Sequence, residues 1–147
     1  MSEQTEGQIV IEASAAEIMD VLTDFESYPA WADMKSATVL ERGAGGVGQK
    51  VAFEVEVPVL GKASYTLAYR YAPADGGMSW ISTEARGAVS NIVGEYLLTE
   101  IDGAETKVIY RLAVDLGVLL PGFVRTQGEK RVIEKALEGL KRRVELG

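Results

Sequence analysis

The chain reads as an α+β protein in which one curved antiparallel sheet is closed by a long C-terminal helix. Three observations carry that reading. Most of the segment from residue 51 to residue 115 alternates apolar and polar side chains, with no helical period intervening. A strand-like and then a helix-like segment precede it and end in Tyr28-Pro29-Ala30-Trp31. From about Pro121 onward the period becomes that of a helix.

Ile9 and Ile11 alternate with Gln8 and Glu12, as in a half-buried strand. Ser14-Ala15-Ala16-Glu17 is a capping box: the Ser14 hydroxyl accepts from the backbone three residues on, and the Glu17 carboxylate reaches back to the cap. Ile18, Val21, Leu22 and Phe25 then form one apolar helical stripe. Pro29 cannot continue that helix and keeps Tyr28 out of the helical region, which predicts a short broken turn holding Tyr28 and Trp31. A weaker strand covers residues 37–41, and the glycine-rich residues 43–48 are expected to form a mobile hairpin loop.

Val51, Phe53, Val55, Val57 and Val59 alternate with Ala52, Glu54, Glu56 and Pro58, a strand with one dry and one wet face. Gly61 turns the chain into Ala63, Tyr65, Leu67, Tyr69 and Tyr71, interleaved with Lys62, Ser64, Thr66, Ala68 and Arg70. Asp75-Gly76 is a hairpin signal leading into residues 78–83, where either Trp80 or Ile81 faces inward. The next strand sets Ile92, Gly94, Tyr96 and Leu98 on one parity. Gly94 there implies a bend or the close approach of another backbone. Asp102-Gly103 closes a second hairpin, and Thr106, Val108, Tyr110, Leu112 and Val114 return opposite in parity to Lys107, Arg111 and Asp115.

In the final helix Thr126, Ile133, Leu137, Leu140 and Val144 share a stripe, with Ala136 at its edge. Arg131, Lys135, Lys141 and Arg142 read as a solvated face, with Glu138–Arg142 a favourable pair one turn apart. The first two turns differ from the rest. Thr126, Glu129 and Lys130 occupy the side that later becomes Ile133 and Leu137, and Gly128 interrupts the helix. Such a start either covers the mouth of a cavity or frays into solvent.

The length of 147 residues fits one domain, residues 1–147, with a single core. Histidine and cysteine are absent, which excludes Ser-His-Asp and Cys-His nucleophiles and the usual zinc sites. Neither a phosphate-cradling P-loop nor a dinucleotide-binding glycine motif is present, so no cofactor is expected. The net charge of −7 argues against nucleic acid as a partner. No apolar run is long enough for stable membrane insertion, and no signal-peptide pattern is seen, so the expected location is cytoplasmic. The inward parity gathers Phe53, Tyr65, Tyr69, Tyr96 and Tyr110, and so many phenol hydroxyls are easier to satisfy around a hydrated cavity than in a dry core.

Residues 9–14, the stretch from Asp24 to Trp31, Gly94-Glu95-Tyr96-Leu97-Leu98, residues 106–110 and the closing helix together resemble the START-like superfamily, in its polyketide cyclase/dehydrase and lipid-transport branch. The order and spacing of these segments carry the resemblance, which looks closest to small actinobacterial single-domain members. It implies a helix-grip fold: a curved seven-stranded antiparallel sheet around the C-terminal helix, with two short helices between the first two strands. It also implies a cavity for a hydrophobic ligand such as a lipid, sterol, quinone or polyketide; the glycine loop and the helix start are the expected gate. The expected lining is Phe53, Tyr65, Leu67, Tyr69, Trp80, Tyr96, Tyr110, Phe123 and Gln127. The leading expectation is noncatalytic binding or transport. A cyclase/dehydratase-type enzyme and a module that docks on a ribosomal or respiratory protein partner are the alternatives. The clear strand charges, Glu54, Glu56, Arg70, Lys107 and Arg111, fall on the outer parity, which favours a binder.

Overall fold

The computed structural model describes residues 4–57, 60–116 and 120–147. Pro58 and Val59, expected to extend a strand, lie outside the described residues. The elements run β1 (Thr5–Ile11), α1 (Ala15–Thr23), a 3₁₀ turn (Phe25–Ala30), β2 (Ser36–Arg42), β3 (Gly48–Val57), β4 (Gly61–Tyr71), β5 (Gly77–Gly87), β6 (Val89–Asp102), β7 (Glu105–Leu116) and α2 (Gly122–Leu146). One seven-stranded sheet is ordered β1-β7-β6-β5-β4-β3-β2, antiparallel throughout. Strands β2 to β7 are the meander that the alternation predicts. β1 joins beside β7, with Thr5 opposite Leu112 and Ile11 opposite Thr106. This is the helix-grip arrangement, with α1 and the 3₁₀ turn between the first two strands.

The capping box is present in both directions: the Glu17 N–H donates to Ser14 Oγ at 3.2 Å and the Ser14 N–H donates to Glu17 Oε1 at 3.3 Å. It starts a helix that buries Ile18 and Leu22 completely. α1 seals one end of the grip, where the β2–β3, β4–β5 and β6–β7 turns lie. There the Ala15 N–H donates to Glu100 Oε1 at 3.0 Å and Thr106 Oγ1 donates to Ala13 O at 2.8 Å. Ile11, Phe25, Val51, Val108 and Leu140 fill this end solidly.

The last turns of α2 are clamped to β1. Lys141 Nζ donates to Val10 O at 2.8 Å, and the Glu12 N–H donates to Glu145 Oε2 at 2.8 Å. Lys141 is therefore not part of a solvated face, and the described ion pair along this stretch is Lys141–Glu145 rather than Glu138–Arg142. Close packing here relies on small residues. A Cβ on Gly7 would lie 2.5 Å from Ile133 Cγ2, and one on Gly139 would lie 2.6 Å from the Trp31 carbonyl oxygen.

Trp80 faces inward, while Ile81 is 56% exposed on the outer face. Gly94 sits directly opposite Trp80, and a Cβ there would lie 2.6 Å from indole Cζ2. The close approach read into this glycine comes from that side chain and not from a second backbone. A bulky residue at 94 would push the indole off the sheet.

Candidate functional site

The opposite end of the grip is hollow. A cavity of about 580 Å³ lies between the sheet and the first half of α2, within the range of small-molecule sites. Its mouth is rimmed by residues 31–34, the ends of β3 and β7, Leu60, Leu120 and the start of α2. The glycine loop at 43–46 does not line it. The reason is geometric: that loop joins β2 to β3 at the sealed end, and successive hairpin turns of a meander alternate between the two ends.

Phe53, Tyr65, Leu67, Tyr69, Trp80, Tyr96 and Tyr110 all line this cavity. Their order across the sheet follows from register, with Tyr69 opposite Trp80, Trp80 opposite Gly94, and Tyr96 opposite Tyr110. The rings touch in sequence: Tyr69 to Trp80 at 5.8 Å, Trp80 to Tyr96 at 5.4 Å and Tyr96 to Tyr110 at 4.4 Å between centroids. Such tilted aromatic contacts add about 0.5–1.5 kcal/mol each beyond burial.

Phe123 and Gln127 do not line the cavity, and Phe123 is 68% exposed. Among the α2 positions that line it, Val124, Gly128 and Val132 are spaced four apart, with Arg125 and Glu129 beside them. Phe123 and Gln127 each precede one of these by a residue, a rotation of about 100° that turns them outward. Trp31 and Met34, which follow the aromatic-proline turn, also reach the cavity and were not anticipated there. The signal was available in the turn itself, since Pro29 fixes Trp31 against Tyr28 at a centroid distance of 4.9 Å.

Glu129 is the one buried charged side chain among the described residues, and it faces the cavity. Thr5 Oγ1 donates to its Oε1 and the Val114 N–H donates to its Oε2, each at 2.6 Å. The β1–β7 ladder ends at Thr5 opposite Leu112, so Val114 lies beyond the reach of β1 and takes the carboxylate instead. Glu129 thus ties α2 to both strands. It lies on the core stripe of α2 in sequence, but strand alternation could not reveal a buried carboxylate contributed by the helix.

Two tyrosines spend their hydroxyls on backbone: Tyr28 donates to Leu22 O and Tyr71 to Gly48 O. The hydroxyls of Tyr65, Tyr69, Tyr96 and Tyr110 make no hydrogen bond to any other described residue. Burial pushes all four phenols well above their ordinary value, as it does Tyr28; neighbouring tyrosines push Tyr28, Tyr69, Tyr96 and Tyr110 further. Tyr71 is pushed up to about 12, also by burial. Every one of these groups is protonated at neutral pH, so the cavity floor offers neutral donors and no base.

Residues 2–145 match the family model described as polyketide cyclase / dehydrase and lipid transport. No curated protein matches the chain in sequence. Among solved structures, a START superfamily protein from Mycobacterium smegmatis superposes with a TM-score of 0.90 at 19% identity, covering 99% of each chain. The Zhui aromatase/cyclase from Streptomyces sp. R1128 gives 0.78 at 18% identity, covering 97% of this chain and 93% of that one. A conserved protein from Geobacillus kaustophilus gives 0.80 at 14% identity, covering 97% and 95%. At these identities the structural likeness establishes the fold and nothing finer. No described helix is long and apolar enough to cross a membrane.

Proposed function

Because the chain belongs to the polyketide cyclase / dehydrase and lipid transport family, we propose that it is a noncatalytic binder or carrier of a small hydrophobic ligand, held between the sheet and the first half of α2. One observation carries this reading. The cavity walls are mainly aliphatic and aromatic, and the single buried carboxylate facing them spends both oxygens on Thr5 and Val114. A general base would need a free lone pair aimed at substrate and a proton affinity near neutrality. The phenols are shifted away from neutrality, and each Glu129 oxygen already accepts a hydrogen bond that ties α2 to the strands. The protein would act in the cytoplasm as a single domain without a cofactor.

A cyclase-type reading has one feature in its favour: protonated phenols around an enclosed space can polarise a carbonyl oxygen. Proximity in the cavity would then supply most of the rate. The two readings part on turnover.

Extraction of natively purified protein followed by mass spectrometry tests the carrier reading, together with displacement of a fluorescent apolar probe. A stoichiometric small molecule, or saturable probe binding reversed by apolar competitors, is the expected result. If nothing copurifies and no probe binds or raises the melting temperature, the protein is not a carrier.

A further inference from the structure

The polar groups of the cavity are unequal in kind. Tyr65, Tyr69, Tyr96 and Tyr110 present four hydroxyls without a described partner, and Tyr69, Tyr96 and Tyr110 are each more than nine-tenths buried. Trp31 Nε1, also buried and without a hydrogen-bond partner, adds a group that can only donate. The phenol oxygens can also accept, but a phenol is stronger as a donor, and the one buried carboxylate, Glu129, already has each oxygen engaged. The lining therefore has a surplus of donors.

Their position is also uneven. Tyr69, Trp80, Tyr96 and Tyr110 form a row of touching rings where the cavity meets the packed end of the grip, Tyr69 lying one inward position nearer the mouth than the facing pair Tyr96 and Tyr110. Toward the mouth the lining is mainly apolar, with Val89, Ile92, Val114 and Leu116 on the sheet and Val124 and Val132 on α2; Tyr65 and Trp31 are the donors on that side, and Asp33 and Glu56 its carboxylates. The cationic side chains of the lining, Arg125, Arg131 and Lys135, all belong to α2 and lie on the mouth side. A carboxylate brought to the tyrosine row would be buried without a cation, which is strongly unfavourable. A neutral carbonyl-type oxygen suits the row, because it accepts from phenol donors and brings no charge.

We infer that the cavity takes an elongated apolar guest oxygen-first, with neutral carbonyl-type oxygens accepting from the row of tyrosine hydroxyls and the hydrocarbon part lying toward the mouth. This rests on the cavity being a binding site, and it adds both the polarity of the guest and its direction of entry. A pure hydrocarbon would leave buried donors unmet, and a charged head group would sit on the wrong side of the rim.

The test compares an alkyl-substituted naphthoquinone with the naphthalene hydrocarbon of the same shape, on wild type and on the Tyr96→Phe/Tyr110→Phe double variant. The lost hydroxyls hold nothing among the described residues, so the variant is expected to fold, which circular dichroism and thermal melting verify. Wild type should bind the quinone about tenfold or more tightly than the hydrocarbon, as one good hydrogen bond allows. The double variant should lose that preference, its quinone affinity falling while its hydrocarbon affinity holds or rises, because fewer buried donors are left unmet. The infrared carbonyl stretch of bound quinone should move to lower frequency in wild type and return in the variant. Equal affinities for the two probes in wild type, or equal losses of both in the variant, would overturn this inference and leave the carrier reading standing. Binding of neither probe would overturn both.

Discussion

The two ends of the grip are built from the same strands and the same helix, yet one is solid and the other hollow. At the sealed end α1 and the last turns of α2 converge on Ile11, Phe25, Val51 and Val108, with Leu140 completely buried among them. At the open end the first turns of α2 stand over about 580 Å³ of space. There Val124 and Val132 are partly exposed and Glu129 makes the anchoring bonds. Close packing and open space are thus assigned to opposite ends of one helix. The packed end supplies apolar contact, and the hollow end leaves aromatic surface uncovered by the rest of the chain.

Alkaline titration should break the hollow end first and with the largest effect. Tyr28, Tyr65, Tyr69, Tyr96 and Tyr110 have native values raised by burial, so their contribution is complete below the unfolded phenol value near 10. Above that pH the unfolded chain releases protons that the native cavity retains, and stability falls as pH rises. Five such groups give a slope of roughly 7 kcal/mol per pH unit once the unfolded phenols ionise. That is enough to exhaust a stability of about 5–15 kcal/mol within a few pH units. Tyrosinate absorbance should therefore grow in together with the loss of near-ultraviolet circular dichroism. Phenol ionisation at pH 10 with intact tertiary signal would show that these rings are in contact with bulk water.

A pair of truncations on α2 sharpens the contrast from the packed side. Leu140→Ala should cost about 2–5 kcal/mol in chemical denaturation, because its surroundings can close only partly around the lost atoms. Val132→Ala, at a position 49% exposed, should stay within about 0.5 kcal/mol. Similar costs at both positions would mean that the first half of α2 is packed as firmly as the second.

How much of this is legible in the chain follows from where each signal is local. Alternation in β3, β4, β6 and β7 identifies the inner face, and with it the tyrosines of the cavity floor. The capping box and Pro29 mark where α1 begins and ends. The β5 segment Met78-Ser79-Trp80-Ile81 offers apolar residues on both parities, so its facing is fixed only by the gap that Gly94 leaves across the sheet. Phe123 and Gln127 fail for a related reason: one residue of phase on a helix swings a side chain from cavity to solvent, and the wet first turns give no apolar stripe to set that phase. Glu129 lies on the right stripe, but its partners Thr5 and Val114 come from distant strands brought together only by the β1–β7 pairing.

The finest discrimination between the two halves of α2 comes from its internal glycines, which are equivalent by helix propensity and opposite in surroundings. A methyl group on Gly139 would meet the Trp31 backbone oxygen at 2.6 Å, so the helix could accept it only by lifting away from the segment that follows the 3₁₀ turn. A methyl group on Gly128 meets nothing within 4 Å. In an isolated helix both changes to alanine would be favourable by about 0.5–1 kcal/mol. In the protein, Gly139→Ala should instead destabilise by about 1–3 kcal/mol through overpacking against a rigid backbone atom. Gly128→Ala should keep the propensity gain of about 0.5–1 kcal/mol, since the added methyl meets no neighbour and takes only a little of the cavity's open space. Chemical denaturation of the two single variants reads both signs. If both glycines stabilise on substitution, the packed end is looser than its contacts indicate; if both destabilise, the space under the first turns is smaller than the cavity requires.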